Sequence, residues 1–335
     1  MPTGHSRLSP TIPRMSHEIR QRLWLAAKSA LAAAIVIGVA QQFIRILSHQ
    51  DFAKYSFRIR IELLVPAGIL YLLAQCCWGA FWVRLLKAEG VPVTWYAGYR
   101  AYFVSQFGKY IPGKVMVIFM RVGMLRHSGG NPLAVAVTAT YETLTSMASG
   151  AMLGVLLLPY LGVLPVAISG KTTALVAIAA LPVVLGVLNK LAARIAARKR
   201  SPDARPLPAP SLLLLTQGLL HGVCGWCLLG LSLALVIESV GLNADGIAET
   251  YPADLGAVAL SYVAGFVILV APGGLGIREF VLQEALTPRF ALTLDTQTAA
   301  GLAVIIALLL RLSWTVAELV VALVLYFLHP RISDR

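Results

Sequence analysis

The 335-residue chain is 58% hydrophobic and only 13% charged, with a formal net charge of +13, and its mean hydropathy is +0.77. An ordinary soluble domain runs about 45–50% apolar and about 25% charged, so a water-soluble globule is excluded and an integral membrane protein is expected. The Lys and Arg gather in loops beside apolar runs and not along an aromatic-laced patch, which points to membrane orientation and anionic headgroups and away from nucleic acid.

In chain order, a tail over 1–22 with four Arg leads into an apolar run at 23–43 without a convincing small-residue cleavage site, and so reads as a cytoplasmic tail before a retained first span. Further apolar runs lie at 63–83, 134–160, 172–189, 211–237, 255–271 and 297–328. Each is rich in Leu, Ala, Val and Ile, on the scale of the ~20 residues that a bilayer core of about 30 Å demands of a helix. They predict an all-α, polytopic membrane bundle of seven or eight crossings. The last run exceeds one untilted crossing and holds Arg311, so one tilted helix and two short ones both fit. Residues 191–210 are polar and proline-rich, as a linker is. They divide a single transmembrane domain, 23–328, into halves at 23–190 and 211–328, followed by a tail at 329–335.

Loop charge sets the orientation, because Lys and Arg are retained on the cytoplasmic side. Segment 190–210 holds Lys190, Arg194, Arg198, Lys199, Arg200 and Arg205, whereas 238–254 has no Lys or Arg and carries Glu238, Asp245, Glu249 and Asp254. Counting crossings backwards places 84–133 and the N-terminus inside. Segment 44–62 breaks the pattern, with Arg45, Lys54, Arg58 and Arg60 where an outer loop is expected.

Two charged Pro-Gly interruptions, one per half, break the apolar pattern: Gly108-Lys109-Tyr110-Ile111-Pro112-Gly113-Lys114 and Ala271-Pro272-Gly273-Gly274-Leu275-Gly276-Ile277-Arg278-Glu279. Pro removes a backbone donor and Gly permits turns, so neither cluster continues a helix. Backbone that stops being helical at membrane depth must be buried in protein or line a wet cavity. Each interruption therefore reads as a re-entrant segment, with Gly108, Pro112, Gly113, Pro272, Gly273, Gly274 and Gly276 as hinge and backbone positions, the last helix of the pair starting near Leu275. Corresponding breaks in two halves suit the inverted repeats of transporters, whose broken helices meet at the repeat interface.

Lys109, Lys114 and Arg121 around the first break and Arg278 at the second are candidate ligands for a phosphate, which Arg grips bidentately; snorkelling to cytoplasmic water is the plain alternative. Ionisable groups at a span's centre cost about 2.5–3.5 kcal/mol each, so Glu142, Arg311 and Glu318 need partners or a water path. With Glu279, these serve charge balance or proton coupling. Arg311 and Glu318 lie seven apart on one helical face and also fit a tie to neighbouring helices. Cys76-Cys77 and Cys224-x-x-Cys227 read as small-residue packing, and His221 has no spaced partner to complete a metal site. No Walker, zinc-protease or nucleophile-elbow motif is present, and no metal or cofactor is expected.

The stretch 105–114, then Arg121, Glu142 and finally 271–279 resemble the lysylphosphatidylglycerol synthase transmembrane family, also called flippase-like, over roughly 20–328. The resemblance implies a bundle with re-entrant segments that moves phospholipids, aminoacylated in the best-known members, between leaflets. Only seven residues follow Leu328, so the soluble aminoacyl-transferase domain of the two-part members is expected to be missing, and synthase activity with it. The expected partners are the membrane and a lipid cargo that is anionic, aminoacylated or polyprenyl-type. Two alternatives stand beside a translocator: a membrane enzyme acting on a lipid-linked phosphate or sugar, and a scaffold for a lipid-modifying enzyme.

Overall fold

The computed structural model describes residues 59–110, 116–161, 211–241, 246–268 and 274–327, together with Gln41. The predicted spans at 23–43 and 172–189, the linker and both tails lie outside the described residues, as do Pro112, Gly113, Lys114, Pro272 and Gly273. All described secondary structure is helical: α1 (Leu64–Ala88), α2 (Trp95–Ser105), α3 (Met116–Met124), α4 (Pro132–Leu157), α5 (Leu212–Ser239), α6 (Ile247–Val267), α7 (Ile277–Phe290) and α8 (Thr296–Phe327), with short 3-10 turns between.

Four of these helices, α1 with its leading turn, α4, α5 and α8, are long and apolar enough to cross a membrane. The chain is a multi-pass membrane helix bundle. The final apolar run is one continuous helix, Thr296–Phe327, about 48 Å long at 1.5 Å per residue. The span expected at 255–271 starts eight residues earlier, at Ile247, and carries Pro252 inside the helix. Its first turns hold Glu249 and Asp254, so hydropathy alone placed the start too late. Helix α7, expected near Leu275, starts at Ile277, just after Gly274 and Gly276, which adopt positive φ of 70° and 85° that a helix does not accept.

The remaining helices, α6 of 21 residues and the shorter α2, α3 and α7, form two antiparallel hairpins. In the first, α2 to α3, the Ser105 hydroxyl meets Arg121 and Gly108 lies against the backbone of Val117. In the second, α6 to α7, Asp254 and Arg289 pair at one end, and at the other Gly265 touches Gly274. A Cβ added to Gly274 would sit 3.1 Å from the Gly265 carbonyl oxygen, so glycine is required there for closure.

The direction of each helix follows from its contacts. Helix α5 runs antiparallel to α1: Arg60, just before α1, pairs with Glu238, while Phe81 meets Gly218 at the opposite end. We call the end with Leu64 upper and the end with Ala88 lower. The Arg60 pair also accounts for one basic residue of the anomalous segment 44–62. Helix α8 runs parallel to α1, with Ser313 donating to the Leu64 carbonyl and Glu318 reaching Tyr71. It ends at the lower end, where Arg100 of α2 donates to the Leu325 carbonyl at 3.0 Å. Hairpin α2–α3 therefore opens at the lower end and hairpin α6–α7 at the upper end.

Small residues let these helices approach closely. A Cβ on Gly225 would meet the Trp78 indole at 2.3 Å, and one on Gly150 would meet that of Trp226 at 2.3 Å. The cysteines behave as packing residues: all are free thiols, with Cys77 and Cys224 in contact at 3.6 Å across α1 and α5. The His221 ring contacts its own helix, at 2.7 Å from the Gln217 carbonyl.

Candidate headgroup site

The described residues flanking the two interruptions line one cavity of about 330 Å³. Gln106 and Lys109 line it from the first hairpin, and Gly274 and Arg278 from the second. Arg121, Glu142, Arg311 and Glu318 line it too. Most of the charged residues singled out in the sequence thus share one hollow, although they come from four different helices and one 3-10 turn.

On the first-hairpin side the charges are paired. Arg121 is only 2% exposed. Its Nη1 donates to Glu142 Oε2 at 2.9 Å and its Nε to the Ser105 hydroxyl at 3.3 Å. The guanidinium also lies over the Trp82 and Tyr102 rings, at 4.5 and 4.4 Å from their centroids. The backbone places it there because α3 turns back along α2 and faces α4. Lys109, on the 3-10 turn that ends the first arm, reaches Glu318 of α8 in an ion pair and lies 3.4 Å from the Tyr71 hydroxyl.

A continuous hydrogen-bonded wall joins the two pairs. Tyr71 donates to Glu318, and the Gln75 amide donates to the Tyr71 oxygen at 2.6 Å. The Tyr102 hydroxyl sits 3.2 Å from Gln75 Oε1 and 3.3 Å from Glu142 Oε1. These residues were missed in the sequence. Tyr71 and Gln75 stand four apart in an apolar helix, and that i, i+4 polar stripe is the signal that marks them.

The second-hairpin side is built differently. Arg278 lies between the rings of Tyr262 and Trp314, 4.3 Å from each centroid. Among the described residues it makes no hydrogen bond and no ion pair. The cage itself is fixed: Trp314 stacks on Tyr71 at 4.7 Å and its indole N–H donates to the Ser232 hydroxyl at 2.8 Å. Glu279, next in sequence, turns away from the cavity. One of its oxygens accepts from Arg311 and the other from the backbone N–H of Gly276 at 2.7 Å. The Gly276 N–H is thus spent inside the protein. Arg311 and Glu318 do not pair with each other; each ties α8 to a different hairpin.

No group of metal-ligating side chains occurs among the described residues. The model of the lysylphosphatidylglycerol synthase TM region matches residues 25–317. The chain belongs to that family. No curated protein matches it. As a member of the lysylphosphatidylglycerol synthase TM family, it corresponds to that family's membrane part, and both hairpins and every charged residue lining the cavity, save Glu318, fall within the matched stretch.

Proposed function

We propose that this membrane protein carries a lipid headgroup between the two leaflets through the cavity, leaving the acyl or prenyl chains in the bilayer. One observation carries the reading: two hairpins opening at opposite ends each place a cation, Lys109 and Arg278, at a single hollow. At nine to fourteen residues, α2, α3 and α7 are about 14–21 Å long, too short for a bilayer core of about 30 Å. They fit re-entrant arms in a pair of inverted halves, and such halves rock about a central site in transporters. The lower end carries Arg84, Lys87, Arg100 and Arg126, while Glu238 and Glu249 mark the upper end; lower is therefore cytoplasmic.

Arg278 is the primary phosphate ligand in this reading. Lys109 and Arg121 act when their carboxylates are displaced, and Lys114 adds charge from the first interruption. The test is reconstitution in liposomes holding a fluorescent phospholipid in one leaflet. Protein-dependent exchange is expected, with Arg278→Ala slowing it at matched insertion and Lys114→Ala and Arg121→Ala slowing it less. Equal rates in all four proteins would remove the headgroup role.

A further inference from the structure

Resting on that reading, we propose a substrate class: the cavity selects a net-anionic headgroup without an ammonium, a phosphate ester whose remainder is polar and uncharged. Four cationic side chains line the hollow, Lys109, Arg121, Arg278 and Arg311. Three carboxylates answer them, Glu318, Glu142 and Glu279, each in an ion pair. One positive charge is left over, on Arg278. This balance is that of the described residues lining the cavity.

An ammonium finds no seat. Glu318 accepts from Lys109 and Tyr71, Glu142 from Arg121, and Glu279 from Arg311 and Gly276. A cationic headgroup must displace one of the protein's own cations, which leaves that cation desolvated and unpaired. The aromatic cage of Tyr262 and Trp314 is the kind of site that takes a quaternary ammonium, and Arg278 already fills it. An aminoacylated or choline-type lipid therefore meets a cavity whose cation seats are occupied.

An anion meets the opposite condition. The Arg278 guanidinium has planar donors suited to bidentate phosphate contact, and none of those donors is hydrogen-bonded to a described residue. The Gln106 side chain, lining the same cavity, makes no hydrogen bond among the described residues, and its amide offers both a donor and an acceptor to hydroxyls of an uncharged remainder.

The probe lipids are phosphatidylglycerol, lysyl-phosphatidylglycerol and phosphatidylcholine, offered as an equimolar mixture to the detergent-purified full chain and read by native mass spectrometry. Phosphatidylglycerol adducts should exceed each of the others by about tenfold. Arg278→Gln should bring them to the phosphatidylcholine level, and Arg278→Lys, which keeps the charge, should retain most of the preference. Lysyl-phosphatidylglycerol or phosphatidylcholine binding as tightly as phosphatidylglycerol would overturn the inference, as would a preference that survives Arg278→Gln in folded protein. The same lipids in vesicles separate the two readings. Selective binding with no protein-dependent movement supports the substrate class and defeats the translocator. Movement of lysyl-phosphatidylglycerol as fast as phosphatidylglycerol overturns the substrate class and supports the translocator.

Discussion

The two hairpins solve the same problem, a cation far from water, by different means. The first holds Arg121 and Lys109 against carboxylates of α4 and α8, whereas the second holds Arg278 between two aromatic faces. A carboxylate cancels the charge and satisfies the donors. An aromatic face attracts the cation through its quadrupole and leaves the N–H edge available. The first arrangement stabilises an element; the second keeps a charge ready for a ligand. An apolar environment makes that difference large, since Coulomb energies there exceed those in water several-fold.

Removing a carboxylate from the first hairpin's pairs tests this comparison most severely. Glu142→Gln strands Arg121, which is 2% exposed, and breaking a buried pair from one side costs about 3–5 kcal/mol. Thermal unfolding in detergent should show the loss, and Arg121→Met combined with Glu142→Leu should recover most of it, because no charge is then left uncompensated. Arg278→Met should cost far less than Glu142→Gln. If the two losses are equal, the contrast between the hairpins is not real.

The pinch points come next. A Cβ on Gly108 would stand 2.6 Å from the backbone nitrogen of Val117, so Gly108→Ala must push α3 off the first arm, at about 1–3 kcal/mol. Gly274→Ala meets both contact and a φ of 70°, and positive φ alone costs a residue with a Cβ about 1–2 kcal/mol. Hydrogen exchange should localise each loss to its own hairpin, and a loss spread evenly through the bundle would refute the two-arm description.

Making one hairpin resemble the other is a finer probe. Glu318→Gln removes the carboxylate that pairs with Lys109 and adds one net positive charge at the cavity. Binding of phosphatidylglycerol should rise about tenfold, or about 1.4 kcal/mol, while Glu249→Gln, at the upper end, should leave it unchanged. No rise would mean that Lys109 does not face the ligand.

Much of this arrangement was legible in the residues. Apolar runs marked α1, α4, α5 and α8 because a bilayer leaves few alternatives to a helix of that length, and the Pro-Gly clusters marked both breaks. Arg121, Glu142, Arg278, Arg311 and Glu318 stood out because a charge in an apolar segment needs a reason. Their partners did not. Lys109 and Glu318 are 209 residues apart, and no local pattern couples them. Tyr262 and Trp314 look like any aromatic residue of a membrane helix until the fold puts Arg278 between them. The early start of α6 was hidden for a related reason: Glu249 and Asp254 belong to a helix whose upper end pairs Asp254 with Arg289, so hydropathy undercounted it.

The smallest expected effect concerns the mouths of the two hairpins. At the lower mouth, α2 and α4 are capped by neutral side chains, Thr94 accepting from the Ala97 N–H at 3.2 Å and Asn131 from the Leu133 N–H at 2.9 Å. Next to the upper mouth, α8 is capped by Asp295, whose carboxylate accepts from the N–H groups of Gln297 and Thr298 at 3.1 and 3.0 Å. The neighbouring Thr298 hydroxyl and those backbone N–H groups hold the exposed Asp295 carboxyl below the usual aspartate range. A group whose folded value is depressed contributes stability above its unfolded value and loses it as pH falls through the folded one. Acidification should therefore fray the first turn of α8 while the first turns of α2 and α4 stay as they were. Hydrogen exchange of the amides following Asp295 reads the effect, and Asp295→Asn, which caps without titrating, should abolish its pH dependence. Equal fraying at both mouths would show that the caps are not what distinguishes them.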